Sequence, residues 1–313
     1  MAKCWMRVLK IELISRITSK ALVFGDNGDS NLKITVTGTK FPATNKDKGT
    51  IKIFNLTYTT IFKIMHGEYY KVRIYSGYQG GNVVKIFDGS VSYISNKIHS
   101  AHDWECYINF ASDVVANYSQ KRINFNLNSS INYWTALDQI CRSTGINDAN
   151  IDESLKDYVL KETEAGYKSF STILESNTFN TSGEYLLNTD GVGSVIDITT
   201  LKNKRVIKID TSKIPIGGGN PRISSEGLEM QLLPNFDYRV GDILKIDNSI
   251  LDVSIQSADV SSTFTTNYMD TNGMYMIKEL SFTLENRGDT FMYYVKARAV
   301  DWIKQFMTEE VVG

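Results

Sequence analysis

Proline is scarce in this sequence, with 4 in 313 residues, and histidine and cysteine number only 3 each. So few prolines leave long stretches free to pair as strands, because proline removes a ladder donor. Cys4, Cys106 and Cys141 are odd in number and widely spaced. That excludes a disulfide framework and, with no CxxC pair, a zinc site, so all three read as small buried hydrophobes. A charge excess is also missing. Lys+Arg of 34 against Asp+Glu of 35 gives a net charge of −1, which excludes a protein whose main work is neutralising phosphates. No apolar run is long enough to span a bilayer, and Met1 to Val8 lacks the apolar core of a signal peptide. The expectation is a protein made in, and soluble in, a cytoplasm, with no stable membrane insertion and no specific nucleic-acid binding.

Catalytic constellations are lacking too. His99 and His102 with Asp103 have no third distant ligand and read as polar surface. His66 precedes Gly67, and a local hydrogen bond accounts for it. Gly217-Gly218-Gly219 is followed by no Lys-Ser or Lys-Thr, so it is not a phosphate loop. Asn55-Leu56-Thr57 and Asn128-Ser129-Ser130 fit the glycosylation pattern, which matters only in a secreted protein. No acid–base pair and no nucleophile motif stands out. No catalytic, metal or cofactor-binding residue is therefore assigned, no cofactor is expected, and the chain reads as non-enzymatic.

What is present is sheet. The chain carries 17 tyrosines and 14 phenylalanines, which suit aromatic cross-strand packing. Tyr70 to Ile94 reads as a meander: Val72, Ile74 and Ser76 alternate with Lys71, Arg73 and Tyr75. Gln79-Gly80-Gly81-Asn82 and Asp88-Gly89 supply the turns. Val8–Ile14, Leu32–Gly38, Gly49–Leu56 and Glu105–Ala111 read as further strands, and Thr57–Met65 as a short helix stopped by Gly67. An echo of the meander spans Tyr238 to Leu284. Between the two, Tyr133, Trp134, Leu137, Ile140 and Cys141 fall at helical spacing, with Ser129 or Ser130 as N-cap and Gly145 as stop. A second short helix is expected over Ser169–Glu175, and two strands around an Asp-Gly turn over Gly183–Ile198. Leu251 to Asn272 is a Ser/Thr-rich connection. Ala299, Trp302, Ile303 and Phe306 make the stripe of a terminal helix. The predicted fold is mainly β with a small α/β insertion. A first β-barrel domain covers 1–112, an inserted α/β domain 113–200, and a second, similar barrel with a C-terminal helix 201–313.

Three places resemble the baseplate hub proteins of bacteriophage tails, a contractile-tail family related to the base of the type VI secretion spike. They are Gly77-Tyr78 through Phe87-Asp88-Gly89-Ser90-Val91; Thr135–Cys141 with Phe170–Leu174; and Gly227–Pro234, Tyr238–Asp242 and Gly273–Lys278 with Gly288–Phe291. The resemblance implies a homotrimeric ring of six quasi-equivalent tube-like barrels that adapts a sixfold tail tube to a threefold spike and leaves an axial channel for DNA. It further implies, as partners, other copies of the chain, a tail tube or tube-initiator protein, a spike protein, the tape measure protein and the baseplate wedge. The location it implies is the virion, in the tail baseplate, after assembly in the host cytoplasm. With no lysozyme or spike domain appended, wall penetration is expected of other polypeptides. Two readings compete: a tail-tip cell-wall hydrolase, and a receptor- or carbohydrate-binding β-protein.

Overall fold

The computed structural model describes residues 6–25, 32–40, 47–98, 103–112, 121–146, 149–174, 185–187, 194–197, 204–215, 221–224, 227–253 and 272–300. The first seven strands are β1 (Arg7–Ser15), β2 (Ala21–Phe24), β3 (Ile34–Lys40), β4 (Lys48–Phe54), β5 (Tyr69–Tyr78), β6 (Val83–Ile98) and β7 (Trp104–Ala111). Alternation sets their facing: Leu9, Ile11 and Leu13 point inward from β1, and Ile34 and Val36 from β3, all fully or almost fully buried. Helix α1 (Tyr58–Met65) follows β4. Thr57 caps it by accepting from the Thr60 N–H, and Ile61 and Ile64 bury its inner side. Gly67, at φ +71°, then releases the chain into β5.

The middle segment keeps its own sheets and its own core. Strands β8 (Arg122–Leu127) and β10 (Glu164–Ser169) pair with each other, while β9 (Asn150–Ile151), β11 (Tyr185–Leu187) and β12 (Ser194–Asp197) form a three-stranded sheet. Helices α2 (Tyr133–Thr144) and α3 (Phe170–Leu174) pack Leu137, Ile140, Phe170 and Ile173 against Ile123 and Leu127. Asn132, rather than Ser129 or Ser130, caps α2. Its carboxamide oxygen accepts from the Thr135 N–H at 2.7 Å, because the helix begins at Tyr133, three residues past Ser130. Gly145 ends the helix in the left-handed region, at φ +99°, as the spacing predicts.

The remaining strands are β13 (Val206–Lys208), β14 (Arg222–Ser224), β15 (Gly227–Leu232), β16 (Ile243–Lys245), β17 (Asp252–Val253), β18 (Met274–Glu285) and β19 (Phe291–Ala299). Their pairing reproduces the first set. The order β3-β4-β7-β6-β5-β1 is matched by β14-β15-β19-β18-β16-β13. The registers agree residue by residue once one landmark is aligned. Each long strand carries a single-residue bulge against its partner, at Ser92 on β6 and at Lys278 on β18. Placing Ser92 on Lys278 puts the pair Lys71–Ser90 on Ile243–Met276, Gly49–Phe110 on Leu228–Ala297, and Thr37–Thr50 on Arg222–Glu229. One strand differs: β1 runs antiparallel to β5, whereas β13 runs parallel to β16. The chain reaches β13 from the middle segment and so enters from the other end.

The two expected barrels do not close among the described residues. Fourteen strands of both repeats join one continuous sheet, because β18 pairs on its free edge with β3 of the first repeat rather than with a strand of its own. One core runs beneath both, from Leu9 and Ile74 to Leu280 and Val295. Strand β2 escaped the pattern reading, since only Phe24 of its four residues is buried. The stripe expected of a terminal helix begins at Ala299, which closes β19, and continues from Trp302 outside the described residues.

Burial explains two of the sparse cysteines. Desolvation alone pushes the Cys106 thiol up to about 11; for Cys141, desolvation and then the nearby Asp138 charge push it to about 12. Both stay protonated at neutral pH, and the thiolate is the reactive form. Alkylation at pH 7.5, mapped by mass spectrometry, should therefore leave Cys106 and Cys141 unlabelled in the native protein and label both in denaturant.

Candidate assembly interface

The largest shared surface of the two repeats is a backbone seam. Strands β18 and β3 pair antiparallel over six positions, from Leu280–Lys40 to Glu285–Thr35. Four further contacts join the two repeats beside it. The Asn286 carboxamide accepts from the Ile34 N–H at 2.8 Å and donates to the Leu32 carbonyl at 2.9 Å, continuing the ladder with a side chain. The Arg7 guanidinium, from β1, donates to the Glu285 and Asp289 carbonyls at 3.2 Å each and to the Gly288 carbonyl, and lies 5.4 Å over the Phe291 ring. The Ser76 hydroxyl donates to the Pro234 carbonyl at 2.8 Å. Tyr78 meets Phe291 edge to face at 5.6 Å between centroids.

Close approach at the seam relies on two glycines. A Cβ on Gly38 would stand 2.4 Å from Phe282 Cζ, and one on Gly49 would stand 2.3 Å from both the Thr37 carbonyl oxygen and Phe110 Cζ. The paired glycines thus leave room for two aromatic rings to lie flat beneath the sheet. On the opposite face, an open groove of about 680 Å³ crosses β18, β3, β4, β7 and β6. Thr37, Thr39, Thr50, Ser281, Thr283 and Asn109 line it together with Phe110, Ala111, Phe282 and the two glycines, and Lys48 is the one ionisable residue among its lining. The Thr50 hydroxyl donates to Asn109 Oδ1 at 2.7 Å. Such a surface is open and carries little charge.

The residues weighed in the sequence fall into structural roles or outside the described residues. The His66 ring lies 3.0 Å from the Phe62 carbonyl through Nδ1, and its centroid is 3.8 Å from that of Phe62, a local end to α1. Asn55, in the left-handed region, accepts from the Trp104 N–H at 3.1 Å, so its carboxamide ties a turn. His99, His102 and Gly217 to Gly219 lie outside the described residues. Among the described residues, no group of three His, Cys, Asp or Glu is placed to hold a metal ion. None of their helices is long and apolar enough to cross a membrane. Asp88 is buried between Lys71, Arg73 and Lys85 at 3.4, 3.2 and 3.0 Å, which pins the β5–β6 hairpin. In Val240-Gly241-Asp242, the Asp242 carboxylate accepts from the Arg239 N–H at 2.8 Å and from Arg205 Nε at 2.9 Å. Gly241, at φ +90°, donates its N–H to the Ile277 carbonyl at 2.9 Å. This motif builds the bend into β16. Arg7, Asn286 and the Gly38–Gly49 pair were missed in the sequence; a strand-interior glycine was the one available signal.

The architecture defines a class: two copies of one open β-fold joined edge to edge, with a separately cored α/β segment between them. Solved proteins of that class are known. A tail protein from Neisseria meningitidis MC58 aligns with a TM-score of 0.56 and 8% identity, over 93% of this chain and 96% of its own. The 43 kDa tail protein of prophage MuSo2 from Shewanella oneidensis gives 0.56 and 8%, over 94% and 98%. An Escherichia coli component of the type VI secretion system, itself similar to T4 bacteriophage tail proteins, gives 0.50 and 11%, over 85% and 73%. This chain has their fold. No family model and no curated protein matches the sequence.

The seam makes a stability prediction. Gly38→Val should cost about 1–3 kcal/mol through the clash with Phe282, measured as a lower urea midpoint at unchanged slope. Gly166→Ala is the control: its Cβ would meet nothing nearer than 3.9 Å, so it should move stability by no more than about 0.5 kcal/mol.

Proposed function

We propose that this chain is the structural hub of a phage tail baseplate. Three copies form a ring of six repeats that caps a sixfold tail tube on one face and seats a threefold spike on the other. The observation that carries the reading is the duplicated strand order, with registers in phase around the bulges at Ser92 and Lys278. A threefold ring meets a sixfold tube only if each subunit offers two equivalent surfaces, and a repeated fold supplies them. The weakly charged groove supports a second element of the reading, an axial channel for DNA. A wall of Thr, Ser, Asn, Gly, Ala and Phe with a single lysine holds no phosphate firmly.

The role is one of geometry and not of catalysis. Its partners are two further copies of the chain, the tail tube or a tube-initiator protein, and the spike, with the tape measure protein and baseplate wedge as outer contacts. The protein resides in the virion tail after assembly in the host cytoplasm.

Cryo-EM of purified tails tests the assignment. Density for three copies on the tail axis, between tube and spike, is the expected result; a peripheral position or a higher copy number refutes it. The channel reading has its own measurement. Free protein at about 150 mM salt should bind random duplex DNA no more tightly than about 10⁻⁴ M, the weak limit of non-specific binding. A micromolar constant would contradict a conduit that releases its cargo.

A further inference from the structure

The repeat shows what is missing from one copy of the chain. With the bulges aligned, β6 beyond Ser92 corresponds to β18 beyond Lys278, so Ile94 falls on Leu280, Ser95 on Ser281, Asn96 on Phe282, Lys97 on Thr283 and Ile98 on Leu284. Both long strands leave their first partner at the same place. Strand β5 stops pairing at Ser90, and β16 at the equivalent Met276. Past that point β18 is taken up by β3. The same edge of β6 pairs with no strand among the described residues.

Exposure follows that difference. Leu284 is fully buried, whereas its counterpart Ile98 is 64% exposed, and Tyr93 is 61% exposed. The Asn96 carboxamide oxygen is buried and has no hydrogen-bond partner. Helix α1, which lies against β6, turns Tyr58, Phe62 and Met65 outward. In the second repeat the stretch between β15 and β16 takes the place of α1, and there the first repeat covers it through Ser76 and Pro234. An open backbone edge and an apolar surface thus coincide at one place, and the internal seam supplies the pattern of what closes it.

We propose that residues 94–98 of β6 form the intersubunit edge, and that a second copy of this chain fills it with its β14, antiparallel, in the register of the internal seam. The proposal deepens the ring reading and rests on it. Strand β14 is the counterpart of β3, since Thr37 falls on Arg222, Gly38 on Ile223 and Thr39 on Ser224. Transferring the β18–β3 register sets Ser95 opposite Ser224 of the second copy, Asn96 opposite Ile223 and Lys97 opposite Arg222. Lys97 keeps Glu105 on its other side and Arg222 keeps Glu229, so the facing cations sit between two carboxylates. Among the described residues of one chain, the outer edge of β14 pairs in parallel with β17, through Arg222–Asp252 and Ile223–Val253. Parallel pairing is slightly less stable per residue than antiparallel, and β6 of the next copy displaces it. Head-to-tail contacts of this kind repeat around an axis, and alternating internal seams with intersubunit seams gives six repeats from three chains.

The test uses the full-length chain, with Ser95→Cys and Ser224→Cys in one molecule and each single variant as control. Directly opposed strand residues lie at disulfide distance, about 4.5–5.5 Å between Cα atoms, and buried Cys106 and Cys141 do not compete. The expected result is trimer by sedimentation and, on mild oxidation, disulfide-linked trimer from the double variant, with neither single variant linked. A trimer that does not cross-link overturns the β6–β14 pairing and leaves the ring reading standing. Monomer at all concentrations overturns both. Ile98→Asp gives an independent readout. The residue is exposed in one chain, so thermal stability of the separated subunit should be unchanged, while association falls at least tenfold; unchanged association would refute the edge.

Discussion

Backbone pairing between β18 and β3 is the constraint on which the molecule depends. It turns two sheets into one, and it aligns the two cores so that Leu280, Phe282 and Leu284 sit beneath the same surface as Val36 and Ile51. Hydrogen bonds along a strand edge fix direction and register together, because a slip of one residue would turn every side chain to the other face. Asn286 and Arg7 add directional contacts at the end of the ladder. Gly38 and Gly49 remove the bulk that would hold the strands off the rings of Phe282 and Phe110. The seam is polar on one side, aromatic on the other, and ordered by main chain throughout.

Much of this was legible in the sequence, and the reasons are physical. Strict alternation in Val72-Arg73-Ile74 and in Leu280 to Leu284 marks half-buried strands, and Gly145 marks a helix end because it follows an apolar stripe. The repetition of a module was visible because turn chemistry is local. What could not be read is which edges meet. The pairing of Lys40 with Leu280 joins residues far apart in sequence, and nothing in either strand names its partner. Closure could not be read for the same reason. Alternation says that a strand has an inner face; it does not say whether its edges are used inside a barrel or across a seam.

The interface residues were hidden more deeply. Ile98 and Leu284 look alike in sequence, and only the coverage of one by β3 separates a core residue from an exposed one. Arg7 reads as an ordinary polar residue in a strand until its guanidinium is placed on the turn before β19. The bulges at Ser92 and Lys278 leave no mark in composition. They are visible only as a change of register, yet they are what shows the two halves to be in phase.

The separation of β3 from β18 also has a consequence for biosynthesis. Roughly 240 residues lie between Lys40 and Leu280, and a ribosome adding on the order of 5–20 residues per second needs about ten to fifty seconds to make them. Throughout that interval the outer edge of β3 has emerged without its intended mate, in reach of nascent chains on neighbouring ribosomes. The composition of the strand suits the wait. Ile34-Thr35-Val36-Thr37-Gly38-Thr39-Lys40 is interrupted by a glycine and ends on a charge, and both make an unpaired edge a poorer template for the wrong partner. The strand that waits longest for its mate thus carries its own guard against a wrong one.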